Sequence, residues 1–144
     1  MAEHQTVLVI EDDPNDVFLL KRAFSKAAPD ILLRVVRNGR EAIDYLKGLD
    51  TFADRAEHPL PALLVLDLNL PGMNGFDLIK WVRNESACRN LPIVVLSSSI
   101  SPIEIARAQE LGINAYHVKP SDANALVGMV QGIKARWVDR TPGT

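Results

Sequence analysis

The sequence predicts an α/β fold in which one open, doubly wound parallel sheet of five strands is covered by five helices. Short apolar runs recur five times along the chain, and helical patterns fill the gaps between them. Strands that alternate with helices require a parallel sheet with right-handed crossovers. Five such units are too few for a closed eight-stranded barrel, and 144 residues suffice for one domain of the usual size.

The five predicted strands are residues 7–10, 31–36, 62–66, 93–96 and 115–118. The first, third and fourth runs are continuously apolar, which indicates strands that are covered on both faces. The fifth run mixes apolar with polar residues, which is typical of an edge strand. In such an open sheet, ligands bind beyond the carboxyl ends of the strands, where the strand order changes direction.

The predicted helices begin at recognisable signals. Asp13 caps the first helix, Pro14 takes its first position and Asp16 completes an acidic first turn. The second helix, residues 40–49, and the third helix each follow an Asn-Gly pair, and the fourth begins at Pro102. The fifth helix has the longest apolar stripe, formed by Ala123, Leu126, Val130, Ile133 and Trp137.

Composition disfavours several partners and compartments. The net charge is −2 and the 16 Lys and Arg residues are dispersed, so we expect no contact with nucleic acid or an anionic membrane. Cys88 is the only cysteine, which excludes an intrachain disulfide and favours a reducing compartment. The first residues lack a signal-peptide pattern, and no apolar run reaches the length of a membrane span. We therefore expect a cytoplasmic protein.

Acidic residues follow two of the predicted strands. Glu11, Asp12 and Asp13 follow the first strand, and Asp67 follows the third. Like charges at such short range repel, and proteins usually hold them together by sharing a proton or binding a cation. An oxygen-rich cluster without cysteine or histidine selects Mg²⁺, which keeps several of its waters. The sequence therefore predicts a Mg²⁺ site at this edge of the sheet.

These acids also have a plainer interpretation as helix caps and turn formers. Capping explains the residue type and place of Asp13 and Asp16. Capping does not explain Asp67, which follows the run Ala-Leu-Leu-Val-Leu and should emerge from a buried strand. Desolvation of a carboxylate is costly there unless the group has a partner or a task, so Asp67 is the candidate functional residue.

The fourth and fifth strands end in residues that suit a phosphate group. Ser97, Ser98 and Ser99 close the fourth strand with small hydroxyls, and Lys119 closes the fifth with a flexible ammonium. Taken singly, a serine cluster usually forms a turn, and a lysine before proline usually lies on the surface. Beside a carboxylate and a cation, however, a hydroxyl and an ammonium neutralise and bind a phosphate group.

With these strand ends in place, the sequence closely resembles the receiver domain of two-component response regulators over residues 5–138. The matching segments are Val-Leu-Val-Ile-Glu-Asp-Asp-Pro, Leu-Leu-Val-Leu-Asp-Leu-Asn-Leu-Pro-Gly-Met-Asn-Gly, Pro-Ile-Val-Val-Leu-Ser-Ser and Tyr-His-Val-Lys-Pro. The resemblance implies the flavodoxin-like strand order 2-1-3-4-5, with residues 139–144 forming a C-terminal tail.

The resemblance also implies a role for each site residue. Asp67 is the expected phosphoacceptor and Lys119 the phosphate-binding lysine. Ser97 is the expected switch hydroxyl, and Tyr116 the aromatic residue that turns inward on activation. By itself, Tyr116 would be an ordinary aromatic residue of an edge strand. The expected Mg²⁺ ligands are Glu11, Asp12, Asp67 and the main-chain carbonyl of Asn69.

Two positions depart from the family pattern. Glu11 stands where aspartate is commoner, and its longer side chain should still reach the metal through water. Ser97 replaces the commoner threonine and loses a methyl group that helps to fix the hydroxyl rotamer, which would soften the switch. The segments Asp-Pro-Asn-Asp and Asp-Leu-Asn-Leu-Pro, with the long loop at residues 50–61, resemble stand-alone regulators that pair with phytochrome-type histidine kinases.

The resemblance implies a signalling protein that catalyses its own modification. Asp67 would take a phosphoryl group from a sensor histidine kinase or phosphotransfer protein, and would later lose it by autodephosphorylation. Because no effector domain is recognisable after Trp137, the signal would pass to a partner or to a second copy of the chain. The expected homodimer surface comprises the fourth helix, fifth strand and fifth helix.

Three other classes compete with this interpretation. A phosphatase of the haloacid dehalogenase type would need a second aspartate two residues after its nucleophile, where this chain has Asn69. A flavodoxin-like cofactor binder would need a phosphate-binding loop after the first strand, where residues 11–13 are acidic and repel phosphate. The third class, an interaction module of the same fold that is never phosphorylated, remains an alternative interpretation.

Overall fold

The computed structural model describes residues 5–85 and 87–139. Its strands are β1 (Thr6–Ile10), β2 (Leu32–Val36), β3 (Leu63–Leu66), β4 (Ile93–Ser97) and β5 (Ala115–Val118). All pairs are parallel, and the strands form one sheet in the order β2-β1-β3-β4-β5. Val9 of β1 pairs with Val35 on one side and with Val65 on the other. The predicted fold class and strand order are confirmed.

Five α-helices connect and cover the strands. They are α1 (Pro14–Ala27), α2 (Gly39–Lys47), α3 (Gly75–Asn84), α4 (Pro102–Glu110) and α5 (Ala123–Ile133). Each helix begins at a residue whose side-chain oxygen accepts a hydrogen bond from a backbone N–H group of the first turn. This hydrogen bond satisfies an N–H group that has no partner within the helix. The capping residues are Asp13, Asn38, Asn74, Ser101 and Asp122. The predicted starts of α1 and α4 are confirmed.

The side chains of the central strands alternate between two apolar cores, one on each face of the sheet. Leu8 and Leu64 belong to the core covered by α2, α3 and α4, whereas Val9 and Val65 belong to the core covered by α1 and α5. Strands β1, β3 and β4 are buried along their whole length, as their continuous apolar runs indicated. Strands β2 and β5 form the two edges and are mostly half-buried.

Two predicted details of the helices are wrong. Ala123, expected in the apolar stripe of α5, is exposed, because it is the first helical residue and lies almost one turn before Leu126, the first buried one. Helix α2 ends at Lys47 rather than at residue 49. Gly48 adopts a left-handed φ of 69°, which ends the helix at a position where glycine has no steric penalty.

The loop between α2 and β3 is held by the side chain of Arg55. Its guanidinium donates hydrogen bonds to the main-chain carbonyls of Tyr45, Leu46 and His58. The first two carbonyls lie in the last turn of α2, where carbonyl groups have no N–H group of the same helix four residues further on. Residues 50–61, which the sequence predicted to be a long loop, therefore also stabilise the end of α2.

After α5 the chain continues as a π-helical turn at Lys134–Val138, and Val138 is buried against the α1 and α5 core. The predicted tail begins at residue 139, and its residues 140–144 lie outside the described part of the chain. Across residues 5–85 and 87–139, no helix is long and apolar enough to cross a membrane.

Gly75, the first residue of α3, allows that helix to approach the end of β3. A Cβ atom at this position would lie 2.7 Å from the Cα atom of Leu68 and 2.8 Å from the carbonyl oxygen of Asp67. Both neighbours are backbone atoms, so relief of the overlap would move the chain that carries Asp67. Packing of α3 therefore constrains the position of this aspartate.

We expect Gly75→Ala to lower the free energy of unfolding by about 2 kcal/mol, because the added methyl group overlaps backbone atoms. Gly132→Ala in α5 is the matched control, since its Cβ would meet no atom beyond the adjoining backbone of its own helix within 4 Å. The control should stabilise the protein by up to about 1 kcal/mol, because alanine forms helix better than glycine. Urea denaturation measures both, and equal stability of the Gly75→Ala variant and the wild type would contradict the close approach.

Candidate functional site

A cleft of about 480 Å³ opens at the carboxyl edge of the sheet, between the ends of β1, β3 and β5. The sequence placed its candidate residues at this edge, and most of them line the cleft. The lining residues are Glu11, Asp12, Asp13, Pro14, Asp16, Asp67, Asn69, Ser98 and Lys119. The cleft is therefore rich in carboxylates and includes one ammonium.

Asp67 follows β3 directly and is 6% exposed. Its two carboxylate oxygens have different partners. Oδ1 accepts the backbone N–H of Asn69 at 3.2 Å, and Oδ2 accepts a hydrogen bond from Nζ of Lys119 at 2.8 Å. The backbone N–H of Asp67 donates to the carbonyl of Ile10 at the end of β1. The cost of burying this carboxylate is thus offset by an ammonium and a backbone donor.

Lys119 is the common partner of three carboxylates. Its Nζ atom lies 2.8 Å from Oε1 of Glu11, 2.8 Å from Oδ2 of Asp16 and 2.8 Å from Oδ2 of Asp67. Burial by itself would lower the pKa of the Lys119 ammonium, but the three carboxylate hydrogen bonds outweigh burial and raise that pKa. Lys119 is therefore charged throughout the physiological pH range.

Glu11 is the most deeply buried acid of the cleft, with 3% of its surface exposed. Its Oε1 accepts a hydrogen bond from Nζ of Lys119, and its Oε2 accepts one from the backbone N–H of Asp13 at 3.1 Å. Burial raises the pKa of the Glu11 carboxyl, and the hydrogen bond from Lys119 only partly counteracts this effect. Protonation of the cleft on acidification therefore involves Glu11.

The cleft has donors that fit Mg²⁺ as part of a ligand set completed by water. Asp12 and Asn69 lie on its exposed rim, while Glu11 and Asp67 lie at its base. Among the residues that the structure describes, no three acidic, histidine or cysteine side chains form a metal site by themselves. Mg²⁺ binds through one or two carboxylates and keeps waters, so this oxygen-rich cleft fits that ion.

Ser97 and Tyr116 do not line the cleft, and they share a partner, Ser99. Ser97 is fully buried at the end of β4, and its Oγ accepts the backbone N–H of Ser99 at 3.3 Å. The hydroxyl of Tyr116 donates to the carbonyl of Ser99 at 2.7 Å. The serine that lines the cleft is its exposed neighbour Ser98. The switch roles assigned to Ser97 and Tyr116 stay predictions.

Asp16 is the site residue that the sequence did not reveal. The capping interpretation holds for Asp13, whose Oδ1 accepts the backbone N–H groups of Asn15 and Asp16. The side chain of Asp16 instead bonds to Lys119, which is 103 positions later in the chain. One feature of the sequence could have identified Asp16 as a site residue: it lies in the first turn of a helix that begins at the carboxyl edge of the sheet.

We expect Lys119→Met to lower the free energy of unfolding by about 3 kcal/mol near pH 7, because three carboxylates would face one another without a cation. Lys119 stays charged below its ordinary pKa of 10.5, so it does not itself titrate between pH 7 and pH 5. Protonation of Glu11, whose pKa is raised, should therefore reduce the deficit towards pH 5. Urea denaturation at both pH values measures the effect.

The matched control for that variant is Lys134→Met. Lys134 pairs with the exposed carboxylate of Asp139 at 2.9 Å, and a surface ion pair contributes less than about 1 kcal/mol. Equal stability losses for the two lysine variants would show that Lys119 does not compensate the buried carboxylates.

A family model for the response regulator receiver domain matches residues 7–131. The response regulator Rcp1 of Synechocystis sp. is 28% identical over 135 residues, which cover 94% of this chain and 90% of Rcp1. The Mn²⁺-bound structure of Rcp1 aligns with a TM-score of 0.82 and 28% identity over 95% of this chain and 96% of its own.

Two further solved structures cover nearly the full chain. Response regulator RPA3017 of R. palustris, in red light signaling, has a TM-score of 0.89 and 35% identity over 97% of this chain and 99% of its own. The phosphorylated cyanobacterial phytochrome response regulator RcpA has a TM-score of 0.88 and 29% identity over 99% of this chain and 100% of its own. The chain therefore belongs to the response regulator receiver domain family of two-component systems.

Proposed function

We propose that Asp67 accepts a phosphoryl group from a sensor histidine kinase or a phosphotransfer protein. The observation that carries this proposal is a buried carboxylate that faces an open cleft and accepts a hydrogen bond from Lys119 at 2.8 Å. Such a pair provides a nucleophile and a cation at the same point. Membership of the receiver family supports the same reaction.

In the proposed reaction, a carboxylate oxygen of Asp67 attacks the phosphorus of a phosphohistidine in line with the P–N bond. The P–O bond forms as the P–N bond breaks, and the electron pair of the broken bond remains on the imidazole nitrogen. Lys119 neutralises negative charge on the transferring group. In dephosphorylation, water attacks the phosphorus of the acyl phosphate and releases inorganic phosphate and the Asp67 carboxylate.

We propose Mg²⁺ as the cation of this reaction. Asp12, Asp67 and the main-chain carbonyl of Asn69 would hold the ion directly, and Glu11 would hold it through water. When bound, Mg²⁺ supplies positive charge to the phosphoryl oxygens. The oxygen-rich donors of the cleft support this assignment, as does the Mn²⁺-bound form of the relative Rcp1.

The proposed output is a surface change that begins at Ser97. A phosphoryl group on Asp67 would accept a hydrogen bond from the Ser97 hydroxyl, and movement of Ser97 towards it would disturb the hydrogen bond that Oγ accepts from the N–H of Ser99. Tyr116 would respond because its hydroxyl is bonded to the carbonyl of the same Ser99. The hydroxyl of Ser99 also contacts Glu104 in the first turn of α4. Such a change would reach α4 and β5 together.

We further propose a phytochrome-type histidine kinase as the phosphodonor. Two nearly full-length structural neighbours are a phytochrome response regulator and a regulator in red light signaling. The Asp-Pro-Asn-Asp segment after β1 and the long loop at residues 50–61 point to the same subgroup. The competing function is an interaction module that is never phosphorylated, and a direct phosphorylation assay separates the two.

Incubation with Mg²⁺ and acetyl phosphate should add one phosphoryl group to the wild type, because a small donor can enter the open cleft. Intact mass spectrometry should detect the group, and its lability to base should identify an acyl phosphate. Asp67→Asn should remain unlabelled because the amide is not a nucleophile, and EDTA should abolish labelling of the wild type. An unlabelled wild type would favour the interaction module.

We also propose that phosphorylation promotes a homodimer through α4, β5 and α5. Ile103 on α4 is 81% exposed, and Val118 at the end of the edge strand β5 is 41% exposed. A groove of about 460 Å³ lies between β5 and α5. A second copy would bury this apolar surface and pair with the open edge of β5.

Beryllofluoride with Mg²⁺ should shift the elution volume in size-exclusion chromatography from monomer towards dimer. Ile103→Asp should prevent this shift, because it places a charge in the proposed interface. Phe18→Asp on α1 is the matched control, since Phe18 is also an exposed apolar residue but lies on another helix. An unchanged profile for the wild type would argue against dimerisation driven by phosphorylation.

A further inference from the structure

We propose that Asp16 is a positioning residue for phosphotransfer, which holds the Lys119 ammonium so that one of its N–H donors stays directed at Asp67. This inference rests on the proposed function and assigns a role to a residue that capping chemistry alone does not explain.

The geometry accounts for every donor of Lys119. An ammonium has three N–H groups, and Nζ lies 2.8 Å from one oxygen each of Glu11, Asp16 and Asp67. Each hydrogen bond restricts rotation of the ammonium about its Cε–Nζ bond and movement of the flexible lysine stem, so two acceptors hold the direction of the third N–H group better than one does. Glu11 and Asp16 together therefore direct the remaining donor at Asp67.

The two acceptors differ in how they are held. Glu11 is buried directly after β1, whereas Asp16 projects from α1 and its side chain is 32% exposed. Asp16 lines the main cleft and also a second cavity of about 30 Å³, next to Lys119 and apolar residues of α1, β4 and α5. That cavity has room for about one water molecule, which could compete for a donor that Asp16 released.

The reaction makes this positioning necessary. When Asp67 becomes an acyl phosphate, its carboxylate charge moves to the phosphoryl oxygens, and we expect the hydrogen bond from Lys119 to pass to one of them. Glu11 and Asp16 form no bond to phosphorus, and each continues to accept a hydrogen bond from the Lys119 ammonium. The lysine stem is flexible, so these anchors limit the entropy lost when the third donor follows the transferring group.

The simpler interpretation is that Asp16 only stabilises the start of α1. A first-turn carboxylate interacts favourably with the helix dipole, an effect of about 0.3–1 kcal/mol. Asp77 provides the matched comparison, because it is the acidic residue in the first turn of α3 and does not line the cleft. A purely structural role predicts similar behaviour for Asp16→Ala and Asp77→Ala.

The first test is the initial rate of phosphorylation by acetyl phosphate at saturating Mg²⁺. Asp16→Ala should be about tenfold slower than the wild type, because the ammonium loses one of two anchors. Asp16→Asn should stay within about threefold, because its amide oxygen still accepts a hydrogen bond. Asp77→Ala should match the wild type. Urea denaturation of each variant verifies that the folded state is populated during the assay.

The second test observes the ammonium without phosphorylation. In ¹H–¹⁵N NMR spectra of lysine NH₃⁺ groups, Lys119 should give a slowly exchanging signal in the wild type and in Asp16→Asn. The signal should broaden or disappear in Asp16→Ala, because the released donor exchanges with water. Lys119→Met identifies the signal by its absence.

The outcomes separate this inference from the proposed function. An unlabelled wild type would overturn the phosphoacceptor function, while the NMR comparison would still report whether Asp16 holds Lys119. A labelled wild type with an equally fast Asp16→Ala variant would overturn the positioning role alone. Equal slowing by Asp16→Ala and Asp16→Asn would also overturn it, since the effect would then depend on charge rather than on the hydrogen bond.

Discussion

The ammonium of Lys119 allows three carboxylates to share one edge of the sheet. Glu11 and Asp67 are almost fully buried, and two ionised acids in such a place would repel each other and lose hydration. Lys119 contacts both at 2.8 Å and also reaches Asp16 on α1. The same contact therefore stabilises the folded chain and supplies positive charge where the proposed phosphoryl transfer occurs.

The sheet supplies this contact because its parallel strands end at one edge. Glu11, Asp67 and Lys119 follow β1, β3 and β5 directly, and the buried central strands fix the first two. The periphery is held differently. Helix α4 has one buried residue, Ala108, and the guanidinium of Arg107 stacks on the Phe76 ring at 4.4 Å. A helix with so little buried surface suits the proposed output, because few apolar contacts oppose its displacement when Ser97 moves.

Much of this architecture was predictable because it depends on local patterns. Continuous apolar runs identified the buried strands, and the cap Asp13 with the prolines at positions 14 and 102 identified the starts of α1 and α4. Predictions failed where local patterns lack information. Ala123 continues the apolar spacing of α5 but lies too close to the helix start to be buried. Residues 50–61 have no periodic pattern, so the sequence could not predict the hydrogen bonds from Arg55 to three main-chain carbonyls.

The sequence by itself determined which elements form and which chemical groups stand at their ends, because strand and helix patterns repeat over a few residues. It thereby identified Asp67, Glu11 and Lys119 as candidates for one site. Only the tertiary structure decided that Asp16 joins them, whereas its neighbour Asp13 merely caps α1. A local pattern explains both acids as parts of one helix start. They differ once folding brings a lysine from 103 positions away within 2.8 Å of one of them.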